Sequence, residues 1–236
     1  MCPEPYFHPT RWTLVLRSRG EGDEAKTALS DLCAAYYEPV VSFLRREGRT
    51  EDAARDMAHG FFENVLAGGI GMPDPARGRF RSYLLGALKH FLSNQRDAAQ
   101  AVKRGGGMEH LPLVSETDTT PGLQLPGVED DTLAFDRDWA MALIGRALAV
   151  LENEHAHKAD FFHTLKPWLD GASDASQAEA ADALGMSVTA VKVAIHRLRA
   201  RFRELIRAEV AATVNDPAEV DGELRHLIAT LSATRA

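Results

Sequence analysis

Apolar residues in this chain recur at steps of three and four, and alternating runs are scarce. That period lays side chains along one stripe of a helix and offers no alternating face to a sheet, so the spacing predicts an all-α fold. Between Ala25 and Glu47 the stripe is Leu29, Leu32, Cys33, Tyr36, Val40, Phe43 and Leu44, with Pro39 inside it as a kink site and Gly48 as its stop. Thr50 followed by Glu51 and Asp52 reads as a capped helix start, and Ala54, Met57, Ala58, Phe61, Phe62, Val65 and Leu66 form the next buried stripe. Gly68, Gly69, Gly71, Pro73 and Pro75 make a loop, and a long helix then runs from near Phe80 to about Arg104, ended by Gly105, Gly106 and Gly107.

Residues 106–134 change character: they are rich in proline, glycine and acids and hold no sustained period, the composition of an acidic, flexible linker. Helical spacing resumes at about Phe135, passes Leu151, and returns with Phe161, Phe162, Leu165 and Trp168 before Gly171–Ser173 close it. A short helix Ser176–Leu184, a turn Gly185–Ser187, a long helix from Val188 to about Val214 and a last helix opened by Pro217 complete the chain. The expected organisation is an N-terminal segment (1–24), a helical domain (25–105), the acidic linker (106–134), a second helical domain (135–214) and a C-terminal helical extension (215–236), with the extension packing on the second domain.

The 236 residues are 45% hydrophobic and 26% charged, enough apolar material for a core. A net charge of -7 argues against a protein that coats nucleic acid through bulk charge. The two cysteines, Cys2 and Cys33, form no framework, no apolar run is long enough for a membrane helix, and the N-terminus lacks signal-peptide character. A cytoplasmic protein is expected.

Charge distribution says more than the sum. In QAEAADALGMSVTAVKVAIHRLRARFREL, residues 177–205, Ala181 is small where two helices cross, Gly185 follows at the turn, Ser187 caps the second helix, and Leu184, Met186, Val191 and Ile195 supply a small core. This register fits a DNA-binding helix-turn-helix, and its second helix carries Lys192, Arg197, Arg199, Arg201, Arg203 and Arg207. The plainer alternative is an αα-hairpin with a solvated arginine face. In RGRFRSYLLGALKHFLSNQRDAAQAVKR, residues 77–104, seven basic residues stand against the single acid Asp97, interleaved with Phe80, Tyr83 and Phe91. Such a surface suits single-stranded nucleic acid, with bases on rings and phosphates on cations; the alternative is that the aromatics are core.

Taken together, the two stretches resemble the two domains of extracytoplasmic-function sigma factors of the sigma-70 family, in the subset carrying RGRFRSYLL, LKHFL and a C-terminal helix like DPAEVDGELRHLIATL. The resemblance implies core RNA polymerase and promoter DNA as partners, an anti-sigma or other regulatory protein as a further one, and neither catalysis nor cofactor. TEDAARDMAHGFFENVL is similar to the polymerase-gripping helix, which assigns Asp52, Asp56, Phe61 and Phe62 to polymerase binding. FRSYLLGALKHFLSNQRD is similar to the helix that melts the minus-ten element. It assigns Arg79, Arg81, Tyr83, Lys89, His90, Asn94 and Arg96 to that DNA. The helix-turn-helix implies minus-thirty-five contacts from Ser187, Thr189, Lys192, His196, Arg197, Arg199 and Arg201. Val193 and Ala194 stand where the family often has Ser and Arg, which shifts base reading toward Thr189, Lys192, His196 and Arg197. The acidic linker is expected to lie in the polymerase's basic RNA channel.

Rival classes leave weaker marks. Glu152, His155, His157 and His163 contain one pair at one-turn spacing and no HExxH or CxxC companion, so no metal site is expected. The Gly105–Gly107 run lacks the ending of a phosphate-binding loop, and no small-molecule substrate is expected. A helix-turn-helix operator-binding regulator with an N-terminal sensor domain is the main alternative, and a sigma-like module without DNA reading is a third.

Overall fold

A computed structural model describes residues 23–67, 80–103, 128–169, 176–214 and 216–232, and every regular element among them is helical. Eight α-helices follow in order: α1 (Asp23–Arg46), α2 (Glu51–Leu66), α3 (Phe80–Lys103), α4 (Val128–Glu154), α5 (Ala159–Leu165), α6 (Gln177–Leu184), α7 (Val188–Ala211) and α8 (Val220–Ser232). Short 3-10 turns at Ala156–Lys158, Lys166–Trp168 and Pro217–Glu219 join or extend them. The loop expected at Gly68–Pro75, the glycine stop after Arg104, most of the acidic stretch and the Gly171–Ser173 closure lie outside the described residues.

One boundary moves. Helix α4 begins at Val128 rather than near Phe135, so residues 128–134 are helix and not linker. The sequence there is VEDDTLA, and acids are the residues a first helical turn favours. Helical period is hard to see in so short and acidic a run.

Two hydrophobic cores organise the chain. The first gathers Tyr36, Val40 and Leu44 of α1, Phe61 of α2, Phe80, Leu84 and Leu88 of α3, Phe135, Trp139 and Leu143 of α4, Val210 of α7, and Val220 and Leu227 of α8. At its centre the Tyr36 ring stacks on Trp139 at 5.7 Å and meets Phe80 at 5.3 Å. The second gathers Leu151 of α4, Phe162, Leu165 and Trp168, Ala180 and Ala181 of α6, and Val191, Ile195 and Leu198 of α7. Helix α4, 27 residues and so about 40 Å long, passes from one core into the other, and α7 does the same. Helix α8 lies along α4 and α7, as expected of the extension, and also feeds the first core.

A proline explains one of the joints. Pro39 sits inside α1 without an N–H, so the carbonyl of Ala35, four residues earlier, loses its helical donor. Ala35 is buried, where an unpaired carbonyl is costly. Arg146 of α4 supplies the bond: its Nη1 donates to the Ala35 carbonyl at 2.9 Å, while its Nε donates to Glu209 of α7 at 3.0 Å. One guanidinium thus repairs α1 and ties it to both long helices.

Candidate nucleic-acid interface

The α6–α7 turn is built by its own residues. Ser176 and Glu179 form a reciprocal capping box at the start of α6. Gly185 then takes a left-handed conformation (φ +61°), which lets the Met186 N–H reach the Ala181 carbonyl at 2.9 Å and its own N–H reach Asp182 at 3.2 Å. Ser187 restarts the chain as the cap of α7, accepting from the Ala190 N–H at 3.2 Å. Val191 and Ile195 are buried beneath, and Leu184 and Met186 pack partly buried against them, the four residues expected to hold this pair together.

This geometry presents the N-terminal half of α7 to solvent. Thr189, Lys192, Val193, His196 and Arg197 are all exposed and share one stripe by their three- and four-residue spacing. Beside them runs a groove of about 650 Å³ lined by Met186, Val193, Arg197 and, from the opposite side, His155 and Phe161.

The basic residues of α7 divide by their partners. Among the described residues, Lys192, His196 and Arg197 find no ion pair and no side-chain hydrogen bond. Arg199 and Arg201, assigned with them from sequence, are engaged within the fold. Arg199 Nε donates to the Trp168 carbonyl at 2.6 Å, closing the end of its 3-10 turn. Arg201 holds Glu154 in a forked pair at 2.6 Å and 3.0 Å and also reaches Glu204 at 3.1 Å. Those carboxylates raise the Arg201 guanidinium further above its ordinary value, and Arg201 in turn lowers Glu154. Ser187 spends its acceptor on the cap.

The α3 residues are placed differently. Arg79 lies outside the described residues. Arg81 is 3% exposed: its Nε donates to Asp136 of α4 at 2.6 Å, its Nη1 pairs with Glu223 of α8, and its guanidinium stands 5.1 Å from the Trp139 ring. The second oxygen of Asp136 accepts from His226 Nε2–H of α8 at 2.6 Å. Tyr83 is half-buried against Phe80, and burial pushes its hydroxyl up to about 12. Lys89 pairs with Asp131 at 2.8 Å and Arg96 with Glu47 at 2.6 Å, while His90 and Asn94 share an exposed contact at 3.3 Å. In this arrangement α4 and α8 cover Arg81, whereas His90, Asn94 and Arg96 face outward.

Of the polymerase set, Asp52 and Asp56 are exposed one turn apart on α2. Phe61 and Phe62 are core residues, the first against Phe91 at 5.6 Å and the second beside Tyr37 at 6.1 Å. Both rings face the core in register with Ala54, Ala58 and Val65.

The residues missed from sequence are Asp136, Arg146, Glu223 and His226. A signal existed for the partner of Asp136 and Glu223: Arg81 stands at the spacing of Leu85, Leu88 and Leu92, all buried, so its register points inward. Compared with protein-family models, with curated proteins and with solved structures, the chain matches none.

Proposed function

We propose that this chain is a promoter-selecting initiation factor of the extracytoplasmic-function sigma type, delivering core RNA polymerase to DNA through α7. The observation that carries this is the exposed stripe of Thr189, Lys192, His196 and Arg197, without carboxylate partners among the described residues, on the second helix of a capped helix-turn-helix. Cations on a folded surface are commonly neutralised by neighbouring acids, as Arg201 and Arg207 are here. A helix end that leaves Lys192 and Arg197 unpaired within the described fold is suited to phosphates and base edges. The exposed Asp52 and Asp56 give α2 an acidic face for a basic polymerase surface, and His90, Asn94 and Arg96 leave α3 an outward polar face for the melted strand. For Arg81 to join them, Asp136 and Glu223 must release it.

The covering of Arg81 and the burial of Phe61 and Phe62 favour a second function, a regulator that binds duplex operators without polymerase. The two differ in one experiment. Purified chain is mixed with bacterial core RNA polymerase, and co-elution and run-off transcription from promoter fragments are measured. Co-elution with specific transcripts supports the initiation factor. Tight duplex binding by the chain alone, without co-elution, replaces it with the operator-binding regulator.

A further inference from the structure

Val193 occupies the middle of the α7 stripe, with Thr189 one turn before it and His196 and Arg197 one turn after, yet it is apolar and 45% exposed. Nothing among the described residues accounts for it. A β-branched residue on an exposed helical surface has lower helix propensity than alanine, and here nearly half of it stays open to solvent. Ala190 and Ala194 beside it are small, so no large neighbour on its own helix hinders close approach to Val193. The polar residues around it are those without partners in the described fold.

From this we infer that Val193 is a specificity-determining residue that reads a thymine methyl group in the major groove of the upstream promoter element. This rests on α7 being a duplex-reading helix, the function proposed above. Among the groups that B-DNA base pairs present in the major groove, the thymine C5-methyl is the apolar one, and side chains that read it are themselves apolar. Arg197, one turn further and able to fork, fits guanine O6 and N7, the commonest partner of an arginine at a base edge. The stripe therefore selects an element in which a thymine is accompanied by a guanine.

The test uses the full chain assembled with core RNA polymerase. A duplex is selected by that complex from a library randomised in the upstream element, and each thymine of the element is then replaced in turn by deoxyuridine, which removes only the methyl. At one position the replacement weakens binding by about fourfold, what burial of one methyl is worth. Val193→Ala weakens binding to the thymine duplex by a similar factor and is indifferent to uracil at that position. The variant retains its fold because the site is exposed and alanine favours the helix. Uracil without effect at every position overturns the assignment, as does a uracil effect that persists undiminished in Val193→Ala. Loss of transcription in Val193→Ala with duplex binding unchanged also overturns it, and places an apolar protein surface against Val193 and the neighbouring groove. Failure to select any upstream sequence is a different result: it sinks the proposed DNA reading itself, and the thymine contact with it.

Discussion

The joint between Pro39 and Arg146 predicts a non-additive pair of mutations. Arg146→Met keeps the stem that packs against the helices and removes the guanidinium. Two interactions are lost. The hydrogen bond to the Ala35 carbonyl, at 2.9 Å, comes from a charged donor to a buried acceptor, a class that contributes about 1.5–3 kcal/mol. The pair with Glu209 is partly exposed, with side-chain exposures of 32% and 24%, and contributes about 0–1 kcal/mol. The expected loss of stability is therefore about 1.5–4 kcal/mol.

Pro39→Ala changes what that bond is worth. Alanine restores the N–H that belongs to the Ala35 carbonyl, so the guanidinium becomes redundant there. In this background Arg146→Met should cost only the Glu209 share, under about 1 kcal/mol. The coupling between the two sites is then the carbonyl bond itself, about 1.5–3 kcal/mol, well above the few tenths expected of independent positions. Urea unfolding of the four proteins, followed by helical circular dichroism at constant slope, measures it. If Arg146→Met costs the same in the parent chain and in the Pro39→Ala background, the carbonyl was never dependent on Arg146. Glu209→Gln serves as the control, since it removes the outer pair and leaves the carbonyl bond.

Other consequences are simpler. Arg81→Ala leaves the buried carboxylates of Asp136 and Glu223 facing each other and should cost about 3–5 kcal/mol, whereas Glu223→Gln leaves a balanced Arg81–Asp136 pair and should cost about 1 kcal/mol; equal losses in denaturant unfolding refute the charge count. Gly185→Ala meets no described atom within 4 Å, so its loss should be the left-handed backbone alone, about 1–2 kcal/mol, and Gly185→Asn should lose less. Burial pushes the Cys33 thiol from 9.0 up to about 12, so the fold holds its proton: stability from this group is complete below pH 9 and declines as pH rises toward 12. In a Cys2→Ser chain, Cys33 should accordingly resist thiol reagents at pH 8 until urea unfolds it, and rapid labelling of the folded protein would contradict its placement. On upstream duplex DNA, Arg197→Ala should weaken binding and flatten its salt dependence, while Arg201→Ala should act through stability; the reverse pattern in salt titrations would exchange their roles.

Much of this architecture is legible from residues alone, because helices announce themselves in spacing. Ser176, Glu179, Gly185 and Ser187 fix the α6–α7 turn through local hydrogen bonds, and local chemistry is what a sequence displays. What stays hidden is long-range. Pro39 shows where a helical hydrogen bond must be missing, but its remedy, Arg146, lies more than a hundred residues away. Phe61 and Phe62 read from spacing as part of a buried stripe, and what covers them does not, because an apolar stripe looks the same whether α1 or another protein lies on it. The start of α4 is missed because an acidic first turn and an acidic linker have one composition.

The two basic stretches show the same limit from the other side, and it decides which face is ready for DNA. Arg81 and Arg197 each stand on a helix dense in cations, and nothing within either helix tells them apart. Acids from other helices do. Asp136 and Glu223 reach Arg81, Asp131 reaches Lys89, and Glu47 reaches Arg96, so these three cations of α3 are neutralised before any phosphate arrives. The acids near α7 act lower down, at Arg201 and Arg207, and among the described residues none reaches Lys192 or Arg197 in its first turns. Binding through α7 therefore displaces no ion pair of the described fold, whereas binding through α3 must first break several, one of them fully buried. Under the proposed function, duplex recognition by α7 should come first, and engagement of Arg81 should follow a rearrangement that moves α8 and the start of α4.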